Sequence, residues 1–523
     1  MDLFSIEFLI LLTITFVIYY AIGFINSKLK KINIPQWSIL LIASLLFYGL
    51  ANYVYLIYLG FSFAVSYIVG LMTQHKLFRR TDNKENLEYE FKPEKIENHL
   101  ERRTYENLIT AFSIIFNAWI LILLKYYNFF VSSVNSVIHT SIATRNFIIP
   151  LGISFYVFSL IAYNVDCCKR ITIAEKNPFK FLLFVSYFPK VLQGPISSYD
   201  QLTKDGLFEK HSFAQNDYLQ SFFRISIGLI KKLVIANVVG LYVDATYANI
   251  STSPSMVLIL VTFLYSIQLY CDFSGFLDIS IGVSSLFGIR LEENFNTPYL
   301  SVSIQDFWRR WHITLGNWLK KYVYIPLGGN RVPLWRWIIN TLIVWLVSGL
   351  WHGANWTFVV WGLYHGILIV IFGLFNKLRK HKESSTSNGR AIALRIIDIV
   401  FTFLLVNLGW VFFRSSSMAE VLEYLSCIIR FNRSIGYNAF LDSSISGANW
   451  LFVVAMVFVV LLIAIVTIYK YPNLLFNRFK NADLARMIAT YSITIAFFAF
   501  SLFVFLYTKS LGGGESSFIY FDF

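Results

Sequence analysis

Long apolar runs separated by short polar stretches dominate the chain. A membrane-spanning helix needs about 20 mostly apolar residues to cross roughly 30 Å of hydrocarbon. Many runs reach or approach that length, and we predict each of them to be a transmembrane helix. They lie at Leu3–Phe24, Trp37–Leu50, Tyr53–Met72, Leu108–Phe130, Ile148–Val165, Leu258–Tyr270, Trp337–Trp351, Asn355–Phe375, Ala391–Phe413, Trp450–Tyr469 and Met487–Tyr507.

Shorter apolar pieces, interrupted by Gly, Pro or polar residues, lie between these runs. At Phe179–Ile196 and Phe273–Gly288 we predict half-helices or re-entrant segments. Such segments survive at membrane depth only where protein or a water-filled cavity satisfies their backbone. The pattern therefore predicts an all-α polytopic membrane protein of about 11–13 helices, some of them tilted, broken or re-entrant.

Two polar stretches, His75–Asn107 and Asn376–Arg390, interrupt the membrane pattern. Both are rich in charged residues and too polar to form a core of their own, so we expect cytoplasmic loops or surface helices there. No fused soluble enzyme is indicated. We therefore predict a single integral-membrane domain over residues 1–523.

Composition and charge fix the class and suggest the orientation. The chain is 56% hydrophobic and only 14% charged, with a formal net charge of +14. Asp2 and Glu7 lie at the start of the first run, whereas Lys28, Lys30 and Lys31 follow it. Cytoplasmic loops carry an excess of Lys and Arg, so we expect the N-terminus outside and the first run retained as a span. The same rule accounts for the net charge, and no nucleic-acid-binding module is present.

The stretch from Glu292 to Arg331 is predicted to hold a basic, aromatic helix over Ile304–Tyr322. Ser303 resembles an N-cap with an acidic residue in the first turn, and two glycines after Pro326 end the regular structure. On such a helix, four side chains recur at helical spacing and share one apolar face. They are Trp308, His312, Leu315 and Leu319.

His352 lies inside an apolar run, in the block Gly349-Leu-Trp-His-Gly353. An ionisable group at membrane depth is by default a hypothesis of a functional site. Its glycines allow a backbone or a substrate to approach closely, and Asn355 shares its face if the helix continues. A buried neutral imidazole can accept a proton from an alcohol. The structural alternative is a histidine that hydrogen-bonds a carbonyl between two helices.

Four other ionisable residues lie in apolar surroundings: His312, His365, Asp272 and Asp278. His365 lies 13 residues beyond His352, too far along a straight helix to share a ligand with it, so a structural role is favoured. His312 is the better partner, with an interface histidine among tryptophans as its alternative. Asp272 and Asp278 are expected to pair with Arg or His of the bundle, in a scaffold or a catalytic role.

Several kinds of chemistry are excluded. Walker A, Gly-x-Gly-x-x-Gly and Gly-x-Ser-x-Gly sequences do not occur. Histidine pairs at i and i+4 and clustered cysteines are also missing, so no metal site is expected. The remaining possibility is an enzyme that transfers a group with a histidine as general base, without a nucleophilic serine. A basic set would suit the phosphates of an anionic donor, although membrane topology explains it comparably well: Arg309, Arg310, Lys320, Lys321, Arg331 and Arg336.

From about Ile149 to Gly366 the chain carries a specific set of motifs. They are Pro150-Leu-Gly-Ile-Ser-Phe-Tyr156, Phe188-Pro-Lys-Val-Leu-Gln-Gly-Pro195, Gln268-Leu-Tyr-Cys-Asp-Phe-Ser-Gly275, Glu293-Asn-Phe295, Pro298-Tyr-Leu-Ser301, Asp306-Phe-Trp-Arg-Arg-Trp-His312, Tyr324-Ile-Pro-Leu-Gly-Gly-Asn-Arg331, Gly349-Leu-Trp-His-Gly-Ala-Asn355 and the aromatic tail Phe518-Ile-Tyr-Phe-Asp-Phe523. The set resembles the membrane-bound O-acyltransferase superfamily. In particular, it is similar to the bacterial branch that contains the alginate and peptidoglycan O-acetylation membrane proteins.

The resemblance implies a helical fold around a central funnel and tunnel, with a catalytic core at 145–370. It implies His352 as the catalytic histidine and His312 as the second polar residue of the site. Acetyl-CoA would be the cytoplasmic donor substrate, without a permanently bound cofactor or metal. Supporting or donor-binding roles are expected for Asn355, Asp272, Asp306, Trp308, Arg309, Arg310, Trp351 and Arg331.

In this branch the acyl group usually passes outward, across the bacterial inner membrane, to a separate SGNH-hydrolase-like transferase that modifies a polysaccharide. Lys321, Gln193 and the pair Val332-Pro333 depart from the branch pattern, which affects the partner or acceptor and not the reaction. Two other functions stay open. One is a saccharide or anion transporter, or a flippase, that uses the histidines as proton relays; the other is acylation of a lipid or a protein.

Overall fold

The computed structural model describes most of the chain. The described residues are 5–29, 33–74, 78–80, 89–91, 99–215, 218–379, 388–431, 492, 495–503 and 505. They form two compact units. The first comprises Met1–Asp217 and Val283–Glu292, and the second comprises Tyr218–Gly282 and Glu293–Phe523.

The first unit is built almost wholly of helices, with one small antiparallel hairpin. Its elements are α1 (Ile6–Lys28), α2 (Trp37–Ala51), α3 (Tyr53–Gln74), β1 (Phe78–Arg80), β2 (Tyr89–Phe91), α4 (His99–Leu121), a π turn (Ile122–Tyr126), α5 (Tyr127–Ile138), α6 (Ile153–Cys168), α7 (Pro178–Ser186), α8 (Phe188–Val191), α9 (Tyr199–Lys204) and a 3₁₀ turn (Phe213–Gln215).

The second unit contains the remaining helices. Its elements are α10 (Tyr218–Ile230), a π turn (Lys231–Ala236), α11 (Asn237–Tyr247), 3₁₀ turns (Ile250–Thr252 and Pro298–Leu300), α12 (Ser255–Leu286, whose last residues belong to the first unit), α13 (Ile304–Arg310), α14 (Ile313–Leu319), a π turn (Lys320–Tyr324), α15 (Leu334–His352), α16 (Trp356–Arg379), α17 (Asn388–Arg414) and α18 (Met418–Ile429).

The predicted all-α, multi-pass membrane architecture is confirmed. Among the described residues, eight helices are long and apolar enough to cross a membrane, and α2 and α6 are shorter apolar helices. The predicted run Trp450–Tyr469 lies outside the described residues, and of Met487–Tyr507 only 492, 495–503 and 505 are described, all helical. The funnel, the single domain over 1–523 and the core at 145–370 stay predictions.

The two polar stretches contain parts of helices as well as a short hairpin. α4 begins at His99, inside the first stretch, and the β1–β2 hairpin lies in the same stretch. In the second stretch, α16 continues to Arg379 and α17 begins at Asn388. Their cytoplasmic placement stays a prediction.

The predicted break between Leu258–Tyr270 and Phe273–Gly288 is wrong, because α12 runs through both without interruption. Asp272 forms an ion pair with Lys232, so its charge is compensated at membrane depth. Gly275 permits close helix contact, since a Cβ there would lie 2.9 Å from the carbonyl oxygen of Gly228. Polar and small residues therefore belong to the packing of a continuous helix.

The partner of α12 is the helix Tyr218–Tyr247, a span that the apolar pattern did not predict. Its apolar run contains Arg224, Lys231 and Lys232, which lower the hydropathy that a sequence window measures. These cations are neutralised by α12, since Lys231 Nζ lies 2.7 Å and Arg224 Nη2 lies 3.1 Å from the Asp278 carboxylate. The expected pairing of both carboxylates is thus confirmed. Asp278 pairs with an Arg as expected, and with a Lys as well, whereas Asp272 pairs with Lys232 instead of the expected Arg or His.

The predicted broken segment Phe179–Ile196 is confirmed as two short helices, α7 and α8, separated at Tyr187. Asn177 begins α7 by accepting hydrogen bonds from the backbone of the first turn. Every residue from 183 to 197 is buried. The irregular backbone between and after these two helices is therefore enclosed in protein, as irregular backbone within a bilayer has to be.

Candidate active site

The predicted helix Ile304–Tyr322 begins as expected and then breaks. Ser303 Oγ accepts a hydrogen bond from the backbone N–H of Asp306 at 3.2 Å. The helix ends at Arg310, because Trp311 pairs with Phe295 in an isolated β-bridge. The single helical face predicted for this stretch is therefore wrong.

Asn294 is the residue that starts the next helix. Its carbonyl accepts from the N–H of Ile313 at 3.1 Å, and its side-chain Oδ1 accepts from the N–H of Thr314 at 2.9 Å. His312, between the two helices, adopts a left-handed backbone with φ of 46°. The turn places the His312 side chain inside the unit, with 2% of its surface exposed.

His352 is the last residue of α15. Gly353 is extended, and Asn355 starts the next helix by accepting from the N–H of Thr357 at 3.1 Å. Asn355 also donates to the carbonyl of Ser416 at 2.7 Å. The prediction that it shares a helical face with His352 is wrong, because the helix does not continue between them.

The two glycine-flanked histidine blocks bring α15 and α16 into close contact. A Cβ on Gly349 would lie 2.3 Å from the carbonyl oxygen of Phe358, and a Cβ on Gly362 would lie 2.4 Å from that of Trp345. Only glycine permits this crossing. The expected close approach of a neighbouring backbone at Gly349 is confirmed, and it holds His352 at the end of a rigid helical hairpin.

The imidazole rings of His312 and His352 lie side by side, with centroids 6.4 Å apart. Phe273 of α12 packs against His312 at 4.9 Å, and Trp361 of α16 packs against His352 at the same centroid distance. Both histidines are therefore fixed by aromatic side chains from different helices. The predicted pairing of these two distant histidines is what the geometry shows.

A cavity of about 840 Å³ reaches both rings. At its inner end it meets the buried His312 and His352, and at its outer end it meets Arg309, which is 75% exposed, and the exposed Lys320. It therefore connects the two histidines with the protein surface. Its lining comprises Gln305, Trp308, Arg309, Trp311, His312, Ile313, Leu315, Gly316, Asn317, Leu319, Lys320, Tyr324, Val344, Trp345, Ser348, His352 and Ile369.

Burial determines the protonation state of His312. It lowers the pKa of His312 from 6.5 to about 3, so the imidazole is neutral at cytoplasmic pH. Neither ring nitrogen of His312 has a hydrogen-bond partner within the described part of the chain. A neutral imidazole offers one N–H donor and one acceptor, and in His312 both are available to a molecule in the cavity.

Comparison with known proteins identifies the family of the chain. A sequence profile of the membrane-bound O-acyltransferase family matches residues 169–413, which include both histidines. A peptidoglycan O-acetyltransferase of Helicobacter pylori is 34% identical over 75% of this chain and 73% of its own length. The chain belongs to the membrane-bound O-acyltransferase family. It is therefore an acyltransferase, and the transporter hypothesis is set aside.

Other members of the family show the range of acceptors. A probable alginate O-acetylase AlgI of Azotobacter vinelandii is 35% identical over 66% of this chain and 66% of its own length. A teichoic acid D-alanyltransferase of Bacillus subtilis is 29% identical over 51% of this chain and 69% of its own length. The names of these relatives concern different polymers, so the acceptor varies within the family.

The other candidate residues of this acyltransferase divide between the cavity and its surroundings. Trp308 and Arg309 line the cavity, and Trp351 packs against His312 at 5.5 Å. Arg310 instead donates from Nε to Asp306 at 3.0 Å, an ion pair within α13. The cavity lining does not include Asp272, Asn355 or the exposed Arg331.

His365 lies behind the cavity wall. It is fully buried, and its Nδ1 accepts a hydrogen bond from Trp308 Nε1 at 3.4 Å. The ring of Trp361 packs against it at 5.1 Å. These contacts fit the structural role favoured from the sequence, since His365 supports Trp308 from outside the cavity.

Several residues of the site were given no role from the sequence, among them Asn294, Trp345 and Ser348. Asn294 forms the turn that carries His312, while Trp345 and Ser348 line the cavity. For Ser348 a local signal existed, because it precedes His352 by one helical turn on the same face of α15. Asn294 lies in the motif Glu293-Asn-Phe295, but its role had no local signal because the backbone groups that it binds lie on a separate segment.

Proposed function

We propose that this acyltransferase takes an acetyl group from cytoplasmic acetyl-CoA and passes it across the membrane for O-acetylation of an extracytoplasmic polysaccharide. The observation that carries the proposal is the cavity that connects exposed basic residues with two buried, adjacent histidines. An acyl donor with an anionic head and a narrow thioester arm has the shape and charge that this cavity suits. Acetyl-CoA acts as a substrate in this scheme, not as a bound cofactor.

In the proposed mechanism His352 is the general base. It takes the proton of the accepting hydroxyl while that oxygen attacks the thioester carbonyl carbon. The carbon–sulfur bond then breaks, and the CoA thiolate leaves and takes up the proton that His352 received. His312, neutral because it is buried, donates an N–H hydrogen bond to the carbonyl oxygen, where negative charge develops.

The mouth of the cavity is proposed to hold the phosphates of the donor. Arg309 and Lys320 are exposed there, and Arg can bind phosphate oxygens in a bidentate manner. Replacing both by Gln is expected to raise the KM for acetyl-CoA with less effect on kcat. Arg310 is not assigned this role, because it lies outside the cavity lining and pairs closely with Asp306, at 3.0 Å; Arg309 lies farther from the same carboxylate, at 3.8 Å.

The proposed acceptor rests on the names of the relatives, and the proposed location rests on the charge pattern of the first loop. Peptidoglycan and alginate appear in the names of the relatives above, and a glycan of this kind outside the membrane is the proposed final acceptor. A separate SGNH-hydrolase-like transferase would receive the acetyl group and complete the modification. We place the protein in the bacterial inner membrane with its N-terminus outside, on the charge pattern of the first loop.

The test is the release of CoA and the transfer of labelled acetyl groups from acetyl-CoA by purified protein. His352→Ala should abolish both, because the proposed general base is lost. His139→Ala is the matched control, since His139 is exposed and outside the cavity. Full CoA release by His352→Ala would contradict the mechanism. Mass analysis of the product separates a glycan acceptor from a lipid or a protein.

A further inference from the structure

The first unit contains a buried lysine that the proposed reaction does not use. Lys190 belongs to α8, in the fully buried stretch 183–197, and only 4% of its surface is exposed. Its Nζ has no hydrogen-bond partner within the described residues. The nearest compensation is the ring of Phe184, whose centroid lies 4.3 Å from Nζ. A buried lysine without an acceptor is costly and marks a functional position by default.

The positive charge of Lys190 is compensated only in part. Burial lowers the pKa of Lys190 to about 7, and the negative charge of Glu292 opposes this shift without cancelling it. Glu292 itself has a raised pKa, caused first by its own burial.

Two more side chains of the same stretch lack partners. Both the Oε1 and the Nε2 atoms of Gln193, and the Oγ atom of Ser197, are buried without a hydrogen bond within the described residues. Gln193 and Ser197 are each 2% exposed. Together with Lys190 they follow one another at intervals of three and four residues along a single short segment.

Some comparable groups elsewhere in the first unit are satisfied. Gln74, 1% exposed, donates to the carbonyls of Cys167 and Thr172 and accepts from the N–H of Ala174. Ser186, in the same buried stretch as Lys190, donates to the carbonyl of Leu182 at 2.8 Å.

Other buried hydroxyls of the first unit also lack a hydrogen-bond partner among the described residues, namely those of Ser62, Tyr156 and Thr203. Lys190, Gln193 and Ser197 differ from them because they belong to one short segment and include a charged group. Most buried polar groups in proteins are hydrogen-bonded, so this combination indicates a ligand.

We propose that Lys190, Gln193 and Ser197 form a binding site for an anionic oxygen group, a carboxylate or a phosphate. The ammonium supplies the charge, and the amide and hydroxyl supply further hydrogen-bond donors. Water could satisfy the neutral Gln193 and Ser197 but would leave the ammonium of Lys190 with only the partial compensation that Glu292 provides, whereas an anion would satisfy all three side chains. The site is independent of the acyl-transfer chemistry at His312 and His352.

The test is the thermal unfolding of the purified full chain in detergent, at about pH 6, where an amine with a pKa of about 7 is protonated. Sodium acetate and sodium phosphate are compared with sodium chloride at equal ionic strength. Either oxyanion should raise the unfolding temperature saturably by at least about 3 °C over chloride. A response to acetate alone identifies a carboxylate site, and a response to phosphate alone a phosphate site.

Lys190→Met should abolish the response, and Ser186→Ala, whose hydroxyl is already bonded, should retain it. Should Lys190→Met fail to fold, Ser197→Ala and Gln193→Met are expected to raise the half-saturating anion concentration at least threefold. The proposal is overturned if neither oxyanion exceeds chloride, or if the folded variants respond like the unaltered protein. The unfolding temperature is measured without acetyl-CoA, so the result does not depend on whether the proposed acetyl transfer is correct.

Discussion

Replacing Lys232 by Met should destabilise the protein strongly, and adding Asp272→Leu should restore most of the loss. The two side chains form an ion pair in the second unit with only 5% and 2% of their surfaces exposed. Removing one partner of a buried pair costs about 3–5 kcal/mol because the other charge is left uncompensated. Replacing both by apolar residues is often neutral, since two desolvation costs disappear together.

The assay is a double-mutant cycle on thermal unfolding in detergent. Each single variant should lower the unfolding temperature by roughly 3–5 °C, and the double variant should recover most of that loss. Asp244→Asn is the control, because Asp244 pairs with Arg414 at 2.6 Å but is 64% exposed. An exposed pair contributes about 1 kcal/mol or less, so the control should lose no more than about 1 °C.

Two outcomes would refute this reasoning. One is a single variant as stable as the Asp244→Asn control, which would mean that the buried charge is well solvated. The other is a double variant that loses the sum of both single effects, which would mean that the two charges do not compensate each other. Acyl transfer should follow stability, because Phe273, next to Asp272, packs against His312.

Two further predictions concern the site. The folded state holds His312 at a pKa of about 3 against 6.5 when exposed, so the unfolded chain binds more protons between these values and stability falls as pH drops through them. His312→Asn should flatten that acid dependence of thermal unfolding; an unchanged slope would contradict it. Gly349→Ala should cost about 1–3 kcal/mol by overpacking against Phe358 and reduce CoA release, whereas Gly60→Ala, with nothing within 4 Å of its Cβ, should not.

A local signal in the sequence predicted the start of α13 correctly. Ser303 carries its own cap signal, because its oxygen and the N–H it accepts from are three residues apart. The break at His312 had no such signal. It depends on Asn294, whose side chain and carbonyl satisfy the first N–H groups of α14 from another segment. Contacts of this kind exist only after the chain has folded.

The hydropathy pattern predicted the helices with few charged residues. It did not predict the helices that are held together by ion pairs. Arg224 and Lys231 made one span too polar to recognise, and Asp272 and Asp278 seemed to break another. In the folded unit each charge lies opposite its counterion, so neither helix exposes an unpaired charge to lipid. The proximity of His312 and His352 was predicted from their motifs and is what the structure shows, whereas the turns that position the two rings were not predicted. Their catalytic roles stay a prediction.

The π turn Lys231–Ala236 affects the directions in which the side chains of Lys231 and Lys232 point. Consecutive residues on a regular α-helix point about 100° apart, so one neighbouring helix can normally meet only one of them. A wider turn inserts an extra residue and changes these directions. Here adjacent lysines serve two carboxylates of the same helix α12, six positions apart. Deleting one residue from this turn would separate a lysine from its aspartate while leaving the composition of the span almost unaltered.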